Sequence, residues 1–188
     1  MKKFLLILFC TTFFAGIAQD TVKCTIETSK GNILIELYPD AAPVTVANFL
    51  TYVDAEAYNG SSFFRVCTPE NEAERNIKIQ VIQGGNIAEE SMKAPIKIET
   101  TEETGILHKN GTLSMARGAP NSATSSFFIC IEDQPELDFN GKRNPDGYGF
   151  AAFGSVLEGM DVVLEIQKGS NTNQILDEPV EIIAIKKS

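Results

Sequence analysis

The chain has no tryptophan, one histidine and four cysteines in 188 residues. Any Ser-His-Asp or Cys-His relay would have to use His108. It stands in the polar turn His108-Lys109-Asn110-Gly111, where a solvated loop side chain is the expectation. The cysteines make no CxxC pair and no Cys/His cluster, so zinc ligation has no support. Cys10 lies in an N-terminal apolar run, and Cys24, Cys67 and Cys130 remain. One disulfide among these three is open in an oxidising compartment. Cys130, inside the apolar run Phe127 to Ile131, is expected to be a buried free thiol. There is no Gly-Lys-Ser/Thr phosphate loop and no GxGxxG opening a helix. Gly84-Gly85 reads as a bulge or tight turn, and no two acids are marked as an acid/base couple. Basic tracts are lacking too: 16 Lys and Arg against 25 Asp and Glu leave a net charge of −9. Such a chain repels nucleic acid and anionic lipid, and its acidity serves solubility. No metal or organic cofactor is expected.

What is present begins with a leader. Lys2 and Lys3 precede an apolar run from Phe4 to Phe14, and Gly16-Ile17-Ala18 places small residues before Gln19. That is the pattern of a cleavable secretory signal over 1–18. The run is shorter than the ~20 residues that cross a bilayer, so an uncleaved or lipid-bearing anchor is the lesser alternative. Cleavage would remove two lysines and no acid, moving the charge from −9 to −11. Residues 19–188 then suit one domain with a full core.

Along that domain many short strands and two helices are expected. Val22 to Thr28 and Ile33 to Leu37 flank the turn Ser29-Lys30-Gly31-Asn32 and read as a hairpin. Pro43 opens a helix that buries Val46, Phe49, Leu50 and Val53. Further strands are predicted at Ser62 to Val66, Ile79 to Ile82, Ile96 to Glu99, Thr112 to Ala116, Phe127 to Ile131, Phe150 to Val156 and Val180 to Ile185. A second helix is predicted over Met160 to Gln167, ended by Gly169. Cys67 to Lys78 is polar and reads as an exposed loop, and Asp133 to Tyr148 is loop-like. Many short strands without a βαβ rhythm argue a mainly β, closed antiparallel barrel.

Three stretches stand out in order: Phe63-Phe64-Arg65-Val66, Val81-Ile82-Gln83-Gly84-Gly85, and Leu113-Ser114-Met115-Ala116 leading to Ser125-Ser126-Phe127-Phe128-Ile129. Alone, an arginine in a strand is more often an exposed or ion-paired side chain, and an aromatic pair is usually core. In this order the stretches resemble the cyclophilin family of peptidyl-prolyl isomerases, over about Thr25 to Ile185. Met115-Ala116-Arg117 and Asn121-Ser122-Ala123-Thr124-Ser125 look most like bacterial, often periplasmic, members.

The resemblance implies a closed eight-stranded antiparallel β-barrel capped by two α-helices, with a proline-binding groove on its outer face. It implies that Arg65 is the catalytic arginine and that Gln83 helps hold it and the substrate. Ala116 and Arg117 match backbone-contact positions, Phe128 and Leu137 the floor and wall of a proline pocket, and Val81 and Phe150 further groove positions. The partners it implies are proline-containing peptides and exported proteins still folding. A monomer, off the membrane after signal cleavage, is expected.

Some positions depart from the family pattern. Phe64 stands where histidine is common, Gln80 where a pocket phenylalanine is usual, Ser126 where glutamine is common, and Glu136 where an aromatic is frequent. Weaker binding of cyclosporin-type macrocycles is the expectation. A peptide-binding module or chaperone with little turnover is the competing reading. The Cys67 to Lys78 stretch is longer than the family's connection and is expected to be a tolerated surface insertion, the alternative being a lip beside the groove.

Overall fold

The computed structural model describes residues 20–188, and the leader expected over 1–18 lies outside them. Strands β1 (Val22–Thr28) and β2 (Gly31–Leu37) form the predicted hairpin. One face of each is buried, Cys24, Ile26 and Thr28 on β1 and Ile33, Ile35 and Leu37 on β2, as a period of two requires. Then come β3 (Ser61–Cys67), β4 (Val81–Gly84), β5 (Thr112–Met115), β6 (Phe127–Cys130) and β7 (Ala151–Glu158). The last two are β8 (Asn171–Thr172) and β9 (Ile175–Lys187).

Spatially the order is β1-β2-β7-β5-β6-β4-β3-β9, and β9 pairs back onto β1. Eight antiparallel strands therefore close a barrel, while the two-residue β8 pairs only with β9 at its edge. Closure leaves no free strand edge along the ring, which removes the usual site of edge-to-edge aggregation.

Helices α1 (Pro43–Asp54) and α3 (Met160–Gln167) lie where expected. A third, α2 (Thr101–Thr104), is a single turn held by a capping box between Thr100 and Glu103, with Gly105 left-handed behind it. The two helices expected are α1 and α3, and α2 is a further short turn among the described residues. The strand predicted at Ile96 to Glu99 is also corrected: only Ile96 makes a bridge, to Ala123. Glu99 instead caps α1 from a distance. Ala42 offers α1 no side-chain cap, and Glu99 accepts from the Val44 N–H at 3.0 Å, the Thr45 N–H at 2.8 Å and the Thr45 hydroxyl at 2.7 Å. A carboxylate at a helix N-terminus satisfies orphan donors and the helix dipole together.

Inside the barrel, Phe49 and Tyr52 from α1 meet Tyr58, Phe63, Phe127 and Phe153. Phe127 stands edge-on to Phe49, Tyr58 and Phe63, at centroid distances of 5.5, 5.6 and 5.8 Å. Such edge-to-face packing adds to area burial, and truncating one of these rings would cost about 3–5 kcal/mol. Tyr52 is sealed where Leu50 was expected to be; Leu50 is half-buried. Cys24, Cys67 and Cys130 are all buried and free. Burial pushes the Cys24 and Cys67 thiols up to about 11, so neither is a ready nucleophile near neutral pH.

Removing the distant cap should be felt globally. Glu99→Ala is expected to destabilise the domain by about 1–2 kcal/mol in denaturant unfolding. An unchanged midpoint would show that α1 is capped by other means.

Candidate active site

A second, smaller apolar cluster lies on the barrel's outer face: Cys67, Ile79, Val81, Phe128, Cys130 and Leu137, with Ala116 and Phe150 against it. It exists because strands alternate. On β6, Phe127 enters the barrel and Phe128 leaves it; on β4, Ile82 enters while Val81 and Gln83 face out.

β3 would break this rule without a bulge. Phe63 and Arg65 are two residues apart, so a regular strand would send both inward. The register shifts between them, with Phe63 opposite Gly84 and Arg65 opposite Gln83. The bulge sends Phe63 and Val66 into the core and turns Arg65 and Cys67 outward. Cross-strand pairing then lines up Arg65 with Gln83, Gln83 with Phe128, and Phe128 with Ser114.

Around this row is a cavity of about 260 Å³. Arg65, Val81, Gln83, Ala116, Arg117, Phe128, Leu137 and Phe150 all line it, so the structure brings every predicted site residue to one place. Phe128 meets Phe150 edge-on at 5.4 Å. Leu137 rides on the 3₁₀ turn Pro135–Leu137, and its carbonyl accepts from the Phe150 N–H at 2.9 Å. Gly149 makes that approach possible. Its φ is +63°, and a Cβ there would lie 2.5 Å from the Asp138 backbone.

The arginines are held differently. Arg117 forms a fork with Asp146, both bonds 2.8 Å, donates to the Gly149 carbonyl at 2.7 Å, and lies over the Phe150 ring. Hydrogen bonds from Arg117 hold the Asp146 carboxyl below the usual range. Arg143 is paired with the buried Glu72. Arg65 has no carboxylate within ion-pair distance among the described residues. Gln83 accepts from its Nη1 at 2.8 Å, and Gln174 accepts from its Nε at 3.0 Å and from its Nη2. Neutral amides orient the guanidinium and leave its charge uncompensated.

Gln174 has its own support. Its Nε2 donates to Glu72 at 3.1 Å, which turns the amide oxygen towards Arg65. Asn173 and Gln174 both have positive φ, as a tight two-residue hairpin turn between β8 and β9 requires. Glu72 is 2% exposed. Burial alone would raise its carboxyl, but bonds from Arg143, the Ile79 N–H and Gln174 outweigh that and hold it below the usual range.

Three expectations are corrected here. The Cys67 to Lys78 stretch is not a bystander loop: it delivers Glu72 beneath the site and Arg75 to the cavity lining. Gln80 does not occupy an apolar wall. Alternation turns it away to Glu132, 2.7 Å distant, and puts Ile79 and Val81 in the cavity. His108 is not solvated; it is 1% exposed, with Nδ1 2.7 Å from Asp138 and Nε2 2.9 Å from Ser114. That Ser-His-Asp geometry is no nucleophilic relay, because Ser114 is fully buried. The His108 ring stacks on Phe128 at 6.0 Å and backs the cavity floor.

Sequence reading missed Gln174, Glu72, Arg143 and Asn144. Gln174 is 109 residues from Arg65. Only its place in a hairpin turn could have flagged it.

Known proteins match this arrangement. The model of the cyclophilin type peptidyl-prolyl cis-trans isomerase/CLD family matches residues 23–187. The chain belongs to the cyclophilin family. It is 40% identical over 171 residues to a peptidyl-prolyl cis-trans isomerase of Acinetobacter baylyi, covering 85% of this chain and 82% of that one. It is 39% identical over 148 residues to peptidyl-prolyl cis-trans isomerase B of Escherichia coli, covering 76% and 82%. A crystal structure of a Cryptosporidium parvum cyclophilin superposes with a TM-score of 0.71 at 21% identity, covering 90% of this chain and 98% of that one. The last likeness bears on the cyclophilin fold alone.

If Gln174 aims Arg65, Gln174→Ala should lower kcat for peptidyl-proline isomerisation about tenfold while KM moves little. That is the scale of one hydrogen bond to a charged group. Equal loss of kcat with Gln174→Asn, or an unchanged kcat with Gln174→Ala, would respectively support strict geometry and remove the role.

Proposed function

We propose that this cyclophilin accelerates rotation about peptidyl-proline bonds in the outer-face cavity, with Arg65 as the catalytic residue, and that its substrates are exported proteins still folding. Amide resonance sets a barrier of ~18–20 kcal/mol, and uncatalysed exchange takes tens to hundreds of seconds. No bond to a side chain is needed. The protein must bind the twisted amide better than either planar form.

In the twisted state the proline nitrogen becomes pyramidal and accepts a hydrogen bond. Arg65 carries a permanent charge in a planar fork, already oriented by Gln83 and Gln174. The proline ring goes to Phe128, Leu137, Val81 and Phe150, while Gln83, Ala116 and Arg117 hold the flanking backbone. Neither metal nor organic cofactor enters this mechanism. The observation that carries the reading is a guanidinium oriented by two amides in the same cavity as the apolar cluster of Phe128, Leu137, Val81 and Phe150.

The export role rests on the leader pattern of residues 1–18, and a periplasmic location on its kinship with bacterial members. A monomer acting off the membrane is part of the same proposal. No helix among the described residues is long and apolar enough to cross a membrane.

The test is an isomerisation assay on residues 19–188 with a proline peptide. Arg65→Ala should lose about 10²–10³-fold in kcat/KM, the scale of one well-aimed charged donor. A parent no faster than that variant would leave a peptide-binding module in place of the enzyme.

A further inference from the structure

The chain carries a net charge of −9, yet four arginines and no acid line its cavity. Two carboxylates contact them. Asp146 is committed to Arg117 by two bonds of 2.8 Å. Glu72 already accepts from Arg143, the Ile79 N–H and Gln174, all while enclosed. Arg75 reaches that same carboxylate only at 3.6 Å, and its side chain is 58% exposed. Four guanidinium charges thus face two carboxylates, an excess of two positive charges at Arg65 and Arg75. Glu70 and Glu74 project from the same lip but do not line the cavity.

A second observation is independent of charge. Asn144 lines the cavity, and its Nδ2 is buried without a hydrogen-bond partner. It is a donor, so what would satisfy it is an acceptor oxygen. A partly enclosed site with surplus cations and an idle donor matches an anion.

Given that the cavity is the isomerase site, we propose that its preferred substrates carry aspartate or glutamate next to the isomerising proline, the carboxylate being received by Arg75 and Asn144. Arg65 is left to the proline nitrogen. Arg75 comes from the Cys67 to Lys78 stretch and Asn144 from the loop after Leu137, so two segments outside the barrel select the substrate. The remaining acidic surface opposes this only at long range, where salt screens it, whereas the lip acts at contact.

The test compares exchange rates, read by NMR, for three proline peptides that differ only in Glu, Gln or Lys before the proline. A second set places the same residues after it. The mature chain should turn over the Glu peptide of at least one set about fivefold better in kcat/KM than its Gln counterpart, mainly through KM, with Lys slowest. Salt at about 0.5 M should compress that order. Arg75→Glu, a change at an exposed side chain, should invert the ratio of Glu to Lys peptides. Equal rates across both sets, with turnover still dependent on Arg65, would overturn the carboxylate preference and leave the isomerase standing. An unaltered ratio in Arg75→Glu would overturn it too. Absence of turnover for every peptide would remove both.

Discussion

The site depends on one irregularity, the bulge between Phe63 and Arg65 in β3. A strand with strict alternation would put the Arg65 guanidinium into an interior of packed aromatic rings, where an unpaired charge is very costly. The bulge resolves a conflict written into neighbouring residues. Phe63 must fill the barrel and Arg65 must leave it, although they are two apart. Once Arg65 is outside, pairing with β4 and β6 sets Gln83 and Phe128 beside it without further adjustment. The charge, its amide partner and the apolar floor therefore come from one row across the sheet, backed by the barrel core through Phe127.

Electrostatics completes what register begins. Arg117 and Arg143 are tied to carboxylates and act as struts between loops. Arg65 is tied to amides, which orient it without neutralising it. Glu72 is the hidden link. It anchors Arg143 on one side and fixes the Gln174 amide on the other, so a buried carboxylate orients the arginine without touching it. A site whose donors are already in place has less to reorganise when charge shifts on the substrate.

How much of this could be read from residues alone follows the range of the interactions. The hairpin of β1 and β2, the α1 and α3 helices and the strand at Phe127 are local patterns, and they lie close to where periodicity put them. The cavity residues were reached through motif order, which kept Arg65, Gln83 and Phe128 together across 63 positions. Pattern failed where a residue's partner is remote. Glu99 sits in an apparent strand yet caps a helix 54 residues away. His108 sits in a polar turn yet is enclosed by Asp138, Ser114 and Phe128. The Cys67 to Lys78 stretch has the composition of a solvated loop, and nothing local shows that Glu72 is enclosed beneath the site. Gln80 shows the smallest failure: alternation gives the cavity its neighbours Ile79 and Val81 and leaves its own amide to Glu132.

The central claim is that the outward guanidinium at Arg65 meets the proline nitrogen while Phe128 carries the ring. A structure of residues 19–188 with a bound Xaa-Pro peptide tests this most directly. The account predicts the proline ring on Phe128, between Leu137 and Val81, with an Arg65 nitrogen about 2.7–3.2 Å from the proline nitrogen or its flanking carbonyl oxygen. A peptide bound with its proline away from this cavity, or with Arg65 turned away from the peptide, would contradict it.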